Sequence, residues 1–144
     1  LKHQALGLHI AEYVTFTGAL ERRTVAAYMA SADCFVGPSV VDRFGDTEAQ
    51  GVVFVEAQAS GCPVVATMAG GIPDVVRNGE TGILVPPADS KALGTAILEV
   101  LGNAQAAKAR AAQARAEVGR YAWPGIAAEF ERLFFDLARP KSGA

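Results

Sequence analysis

Two glutamates, Glu48 and Glu56, are the residues of this chain best suited to contact a polar ligand, and seven residues lie between them. The stretch between them predicts a helix that begins near Gly51. The first N–H groups of a helix have no partner within it, and together with the helix dipole they attract phosphate. Carboxylates accept hydrogen bonds from paired hydroxyl groups, such as those of a sugar or a ribose. The pattern therefore predicts a ligand with a diphosphate between two polyols, as in a nucleotide-sugar.

The same spacing also has a purely structural explanation. Acidic residues stabilise the start of a helix through its dipole, whether or not a ligand binds. Exposed glutamates are common as well, so the spacing alone does not decide between a binding site and a solvated helix start.

Length and composition narrow the class of protein. The chain has 144 residues, which is about one domain, and 51% of them are hydrophobic. The net charge of -2 offers no basic surface, so we expect no nucleic-acid partner. No apolar run reaches the ~20 residues of a membrane span. Cys34 and Cys62 are predicted to be buried thiols in a reducing compartment, and the few histidines and cysteines give no metal pattern.

Short β-rich runs alternate with helical segments, which predicts an α/β fold with a parallel sheet and helices on both faces. The strands are predicted at 13–17, 34–36, 62–67 and 82–85, and the helices at 24–32, 51–60, 72–77, 89–102, 103–119 and from 123 onward. The apolar side of the last helix, which includes Trp123, is interpreted as core, with a partner-docking surface as the alternative. Residues 1–139 are predicted to form the domain, and 140–144 a disordered tail.

Four stretches, 32–39, 48–65, 66–74 and 78–86, follow one another in an order that resembles a known family. They are similar to the C-terminal, donor-binding half of retaining GT-B glycosyltransferases, in particular glycosyltransferase family 4 (group 1) with its Glu-x7-Glu signature. The resemblance extends from about Leu6 to the helix at Trp123. The segment 41–47 resembles an insertion of the bacterial exopolysaccharide branch. The fold that this implies is a Rossmann-like sheet, here incomplete.

The resemblance implies a role for each residue around the predicted helix start. Glu48 would be the catalytic residue and would contact the hydroxyl groups of the donor sugar. Val52 and Val53 would hold the diphosphate through their backbone N–H groups, and Gly51 would allow its close approach. Glu56 would accept hydrogen bonds from the ribose.

Other candidates lie in loops and have structural alternatives. Gly18 would lie near the nucleobase, or simply form a turn. Ser39 would follow a strand at the edge where ligands bind in open α/β sheets, or only satisfy its loop. Gly70 and Gly71 would let backbone pass close to the ligand, or form a structural turn. The acidic segment around Asp42 is interpreted as a solvated loop, and no metal or other cofactor is expected.

The activity that the resemblance implies is retaining transfer of a hexose from a UDP-, GDP- or ADP-sugar, in the synthesis of a bacterial polysaccharide or glycolipid. A sugar or lipid-linked acceptor would bind an N-terminal domain that is absent from the sequence. The first strands of this half and the Arg/Lys pair of the family are absent from it as well. We therefore expect an N-terminally truncated chain that is inactive alone and that self-associates or pairs with a second chain. The alternatives are a non-catalytic α/β association module and, with less support, a sugar-nucleotide epimerase. The location implied is cytoplasmic, or peripheral to the inner membrane in the full-length protein.

Overall fold

The computed structural model describes residues 1–138 and shows a parallel sheet between layers of helices, which confirms the predicted α/β fold. The elements are α1 (Lys2–Gly7), a 3-10 turn (Ala11–Tyr13), α2 (Arg22–Ser31), β1 (Phe35–Gly37), α3 (Val52–Ala59), β2 (Val64–Thr67), α4 (Ile72–Val75), β3 (Ile83–Val85), α5 (Ser90–Gly102), α6 (Ala104–Glu117), a second 3-10 turn (Val118–Tyr121) and α7 (Trp123–Ala138).

The sheet in the described residues has three parallel strands in the order β1-β2-β3. Val36 lies opposite Val65, and Ala66 lies opposite Leu84. The central strand β2 is buried along its whole length. Because the strands are parallel, their carboxyl ends lie at one edge, where loops and helix starts can form a ligand site.

Alternating side chains of β2 pack against helices on opposite faces of the sheet. Val64 belongs to a core that includes Phe54 of α3, whereas Val65 packs with Ala96 and Val100 of α5. All five side chains are at most 5% exposed. This alternation is the period of two expected of a strand that is covered on both faces.

Local capping signals define the ends of two helices. Asp89 accepts a hydrogen bond from the N–H of Ala92 at 2.8 Å, and Asn103 accepts one from Ala106 at 3.1 Å. Such side-chain acceptors satisfy N–H groups that the first turn of a helix leaves open. The predicted starts of α5 and α6 are confirmed.

The predicted strand at 13–17 was wrong. The chain forms a 3-10 turn at Ala11–Tyr13, and residues 14–17 pair with no strand among residues 1–138. β-branched and aromatic residues favour a strand only where a neighbour supplies hydrogen bonds and side-chain contacts. Here Tyr13 is 81% exposed and has no such neighbour.

The interpretation of the last helix as part of the core was also wrong. No residue of α7 is buried, and Trp123 is 81% exposed and Phe134 64% exposed. The apolar side of α7 is therefore a free surface in the structure. Residues 139–144, which include the end of the predicted domain and the predicted tail, lie outside the described residues.

Between residues 1 and 138, none of the helices combines the length and the apolar character needed to cross a membrane.

Candidate functional site

The loop after β1 and the loop after β2 meet at the carboxyl edge of the sheet. The first loop carries Glu48 and leads into α3, and the second contains Gly70 and Gly71. The N–H of Gly71 donates a hydrogen bond to the backbone carbonyl of Glu48 at 3.0 Å. The topology thus brings the start of α3 to the edge where open α/β sheets bind their ligands.

Glu48 is half-buried and contacts the start of α3 directly. Its Oε1 accepts a hydrogen bond from the N–H of Gly51 at 3.0 Å. Gly51 is the residue before the helix and has a φ of 64°, a left-handed conformation that favours glycine. The predicted proximity of Glu48 to the helix start is therefore confirmed by a direct hydrogen bond.

The next two backbone donors of the helix are open. No side chain caps α3, and its first internal hydrogen bonds run from Phe54 and Val55 to the carbonyl of Gly51. The N–H groups of Val52 and Val53 donate to no atom in the described part of the chain. These unpartnered donors at the positive end of the helix dipole can bind an anion.

The turn at Gly70 and Gly71 packs tightly against the loop between β1 and α3 (residues 38–51), which we call the acidic loop. A Cβ on Gly70 would overlap the carbonyl oxygen of Glu48, and one on Gly71 would overlap that of Ala49. The structure therefore shows the turn packed against the backbone of the loop that carries Glu48.

Glu56 is the fifth residue of α3, and its side chain is 43% exposed. It lies 3.6 Å from Nη2 of Arg22 and lines a groove of about 410 Å³ between α2 and α3. Glu48 does not line this groove. A ligand that contacts both carboxylates must therefore extend along the first turns of α3.

Gly18 lines a second groove of about 310 Å³, beside the first. Leu20, Val25 and Met29 line both grooves. Gly18 is exposed and has a φ of 66°, so a turn accounts for the glycine. The two grooves together extend from Glu56 to the loop of Gly18.

Ser39 follows β1 at the carboxyl edge and is half-buried. Its carbonyl accepts a hydrogen bond from Oγ1 of Thr67, the last residue of β2. This hydrogen bond fixes the backbone of Ser39 beside the end of β2.

The acidic loop is shaped by its own hydrogen bonds. Oδ1 of Asp42 accepts from the N–H groups of Phe44 and Asp46 at 2.8 and 2.9 Å. Across residues 1–138, no group of three or more His, Cys, Asp or Glu side chains is placed to hold a metal ion.

Two residues that the sequence analysis overlooked, Arg22 and Arg23, line the groove with Glu56. They are at the first turn of α2, four to five residues after Gly18, and bring positive charge to the groove. Because they follow directly after the loop of Gly18, which the sequence had already suggested as part of the site, their position could have identified them.

The two thiols are poor candidates for a nucleophile. Burial raises the pKa of Cys34 to about 11, and burial also raises the pKa of Cys62. Both cysteines are free, and a raised pKa keeps each in its unreactive protonated form at neutral pH.

Comparison with known proteins identifies the family of this fold and site. Residues 1–103 match the family model described as glycosyl transferases group 1. A phosphatidyl-myo-inositol mannosyltransferase of Mycobacterium leprae is 36% identical over 96% of this chain and 35% of its own length. A GDP-mannose-dependent alpha-(1-6)-phosphatidylinositol monomannoside mannosyltransferase of Mycolicibacterium smegmatis is 38% identical over 76% of this chain and 29% of its own length.

Among solved structures, HepE of Anabaena in complex with UDP superposes with a TM-score of 0.81 at 27% identity, over 93% of this chain and 35% of that chain. The present chain thus spans about a third of the length of these relatives. The match to the family model covers well over half of the 144 residues. The solved structures that superpose on this chain are glycosyltransferases with the GT-B fold. The chain therefore belongs to the glycosyl transferases group 1.

Proposed function

We propose that this chain is the donor-binding part of a retaining glycosyltransferase that transfers a hexose during the synthesis of a polysaccharide or a glycolipid. The observation that carries the proposal is the start of α3, where Glu48 is fixed beside two open backbone donors. The relative from Mycobacterium leprae, named a phosphatidyl-myo-inositol mannosyltransferase, supports a hexose and a lipid-linked acceptor.

The diphosphate of the donor binds at the start of α3. The N–H groups of Val52 and Val53 donate to its oxygens, and the helix dipole adds a partial positive charge. In the reaction, the bond between the anomeric carbon and the diphosphate breaks, so negative charge grows on the diphosphate. Fixed donors that face this charge lower the barrier, because they need no reorganisation.

Glu48 contacts the donor sugar. The hydrogen bond from Gly51 leaves the second oxygen and the remaining lone pairs of the carboxylate for sugar hydroxyl groups. The carboxylate thereby orients the sugar, while a hydroxyl group of the acceptor forms the new bond on the same face from which the diphosphate leaves. The acceptor's proton passes to the departing diphosphate.

The nucleoside binds along the two grooves beside α2. Glu56 accepts hydrogen bonds from the ribose, and the groove that reaches Gly18 holds the base against Leu20 and Val25. The ion pair of Arg22 with Glu56 is long and exposed, so its cost of opening is small. The relative named GDP-mannose-dependent supports guanine as the base of the donor, whereas the structural neighbour in complex with UDP supports uracil. The proposed donor is therefore a UDP-, GDP- or ADP-sugar.

The remaining parts of the reaction belong outside this chain. The acceptor site and the Arg/Lys pair of the family would come from the rest of such a protein, since this chain spans about a third of its relatives. We expect the 144 residues alone to bind the donor without transferring the sugar. We expect no metal to be required. The setting implied is cytoplasmic, or peripheral to the inner membrane.

Ligand-observed NMR of the chain with UDP-, GDP- and ADP-sugars tests the proposal. One nucleotide series should bind saturably, and Glu56→Ala should weaken it by roughly tenfold through loss of charge-assisted hydrogen bonds. Glu12→Ala removes another glutamate side chain, at an exposed position that lines neither groove, and serves as the control. Absence of binding by the folded chain would contradict a working donor site.

An association module is the second candidate, and the exposed apolar side of α7 favours it. The rings of Phe130 and Phe134 lie next to each other with 6.2 Å between their centres, and both side chains are more than half exposed. Sedimentation of the chain should show self-association that Phe134→Glu abolishes if this candidate is correct. A monomer at all concentrations would exclude self-association through this face.

A further inference from the structure

We propose that Gly70 and Gly71 are positioning residues that fix Glu48 at the start of α3 and thereby set the preference for a sugar-bearing donor over the bare nucleoside diphosphate. The inference rests on the proposed function and assigns to the turn a role in the recognition of the sugar.

Glu48 is held at both its backbone and its side chain. Its carbonyl accepts from the N–H of Gly71, and its Oε1 accepts from the N–H of Gly51, each at 3.0 Å. The turn and the helix start therefore hold the residue from two sides. A change at the turn acts on the carboxylate through the backbone of Glu48.

There is no space for a side chain between the turn and the acidic loop. A Cβ on Gly71 would overlap the carbonyl oxygen of Ala49. One on Gly70 would overlap the carbonyl oxygen of Glu48 and lie 2.8 Å from Cγ2 of Thr47. Gly71 has an ordinary φ of -81°, so an alanine there introduces steric overlap without backbone strain.

The acidic loop, and not the turn, must yield to such an overlap. Ala69 and Ile72, which flank the two glycines, are 1% and 0% exposed and belong to the core. Thr47, Ala49 and Gln50 are exposed, so the loop that they form can move into solvent. A tightly packed core resists displacement more than an exposed loop does.

The displacement separates the two halves of the donor site. Glu48 leaves its place beside Gly51, whereas Val52 and Val53 stay with α3, because Phe54 anchors the helix in the core. The contacts to the diphosphate therefore persist, and those to the sugar are lost.

The experiment compares Gly71→Ala and Gly70→Ala with Glu48→Gln and with a matched control. Gly79→Ala is that control, because Gly79 has a φ of 80° and nothing within 4 Å of an added Cβ. Titration calorimetry with UDP, GDP and ADP, and with UDP-glucose, GDP-mannose and ADP-glucose, measures the preference for the sugar-bearing form. Amide hydrogen exchange of Gly51 reports its hydrogen bond to Glu48 without any ligand.

Gly71→Ala and Gly70→Ala are expected to reduce the preference for the nucleotide-sugar by roughly tenfold, as Glu48→Gln does, with affinity for the nucleoside diphosphate retained. Exchange of the Gly51 amide should accelerate in both glycine variants, and Gly79→Ala should change neither quantity. Unchanged Gly51 exchange, or equal loss of affinity for both ligand forms by a folded variant, would overturn the proposal.

A measurement on the unmodified chain covers the case of a variant that does not fold. NMR should detect a scalar coupling across the hydrogen bond between the Gly71 nitrogen and the Glu48 carbonyl carbon. Its absence would overturn the proposal. If the unmodified chain binds no nucleotide at all, the proposed function fails, whereas Gly51 exchange still decides whether the turn positions Glu48.

Discussion

The carboxylate of Glu48 accepts a hydrogen bond from the backbone N–H of Gly51, the residue immediately before α3, at 3.0 Å. This contact satisfies the first donor of the helix start, and the N–H groups of Val52 and Val53 remain for a ligand. A negative side chain at this position also interacts favourably with the helix dipole. One residue therefore stabilises the helix and defines the border between the diphosphate and the sugar in the proposed site.

Gly51→Ala should destabilise the chain and weaken diphosphate binding. An alanine with a φ of 64° is strained by about 1–2 kcal/mol, and its Cβ would lie 3.1 Å from the ring of Phe54. Urea unfolding and titration with UDP and GDP measure the two effects. Gly45→Ala controls for strain alone, because Gly45 has a φ of 87° and open surroundings. Equal affinity for diphosphate in both variants would contradict the role of Gly51.

Gly37→Ala should destabilise the chain through the core beneath the site. The added Cβ would overlap the ring of Phe54, which packs edge-to-face on Phe35 at 5.6 Å between ring centres. Overpacking of this kind costs about 1–3 kcal/mol. The double variant Gly37→Ala with Phe54→Leu should recover part of this loss in urea unfolding. Strict additivity of the two changes would show that Gly37 and Phe54 are not coupled.

Glu117→Gln should lower the stability of the chain at neutral pH, and this difference from the unmodified chain should disappear in acid. Hydrogen bonds from Arg77, and then from Gln113, lower the pKa of Glu117 below its ordinary 4.5. A lowered folded-state pKa contributes stability above pH 4.5, and this contribution disappears as the pH falls through the folded value. Unfolding midpoints from pH 7 to pH 2 measure the difference between the variants.

Glu129→Gln, a change at an exposed position of α7, is the control for that pH series. The difference in unfolding midpoint between the unmodified chain and Glu117→Gln should shrink toward pH 2. A constant difference would show that Arg77 does not act through the ionised carboxylate.

Alkylation of Cys34 by iodoacetamide should be slow in the folded chain. A pKa of about 11, raised by burial from 9.0, reduces the thiolate fraction at pH 8 by about a hundredfold. Mass spectrometry of the native and the urea-unfolded chain compares the rates at this cysteine. Equal rates in the two states would mean that the half-buried thiol of Cys34 is neither shielded nor protonated as described.

Elements with a local chemical signal could be predicted from the sequence. Gly51 marked the start of α3, and the side chains of Asp89 and Asn103 marked the starts of two further helices. Each of these signals acts within about four residues, so no knowledge of distant parts of the chain was needed.

Features that depend on distant contacts could not be predicted. The segment 13–17 has the composition of a strand, but a strand needs a neighbour, and composition does not report one. The overlap of Gly71 with Ala49 joins two loops that are 22 positions apart, and the ion pair of Arg22 with Glu56 joins two helices. The sequence could indicate the candidate site residues, but only the packing of the folded chain determines which of them are in contact.

The most direct test of the central claim follows the backbone amides of Val52 and Val53 by NMR while UDP-, GDP- or ADP-sugar is added to the isotope-labelled chain. Binding of the diphosphate at the start of α3 predicts that both resonances shift saturably with one nucleotide series, and that Glu48→Gln changes the response to the sugar-bearing form. A folded chain in which these two amides do not respond to any of the donors would contradict the account.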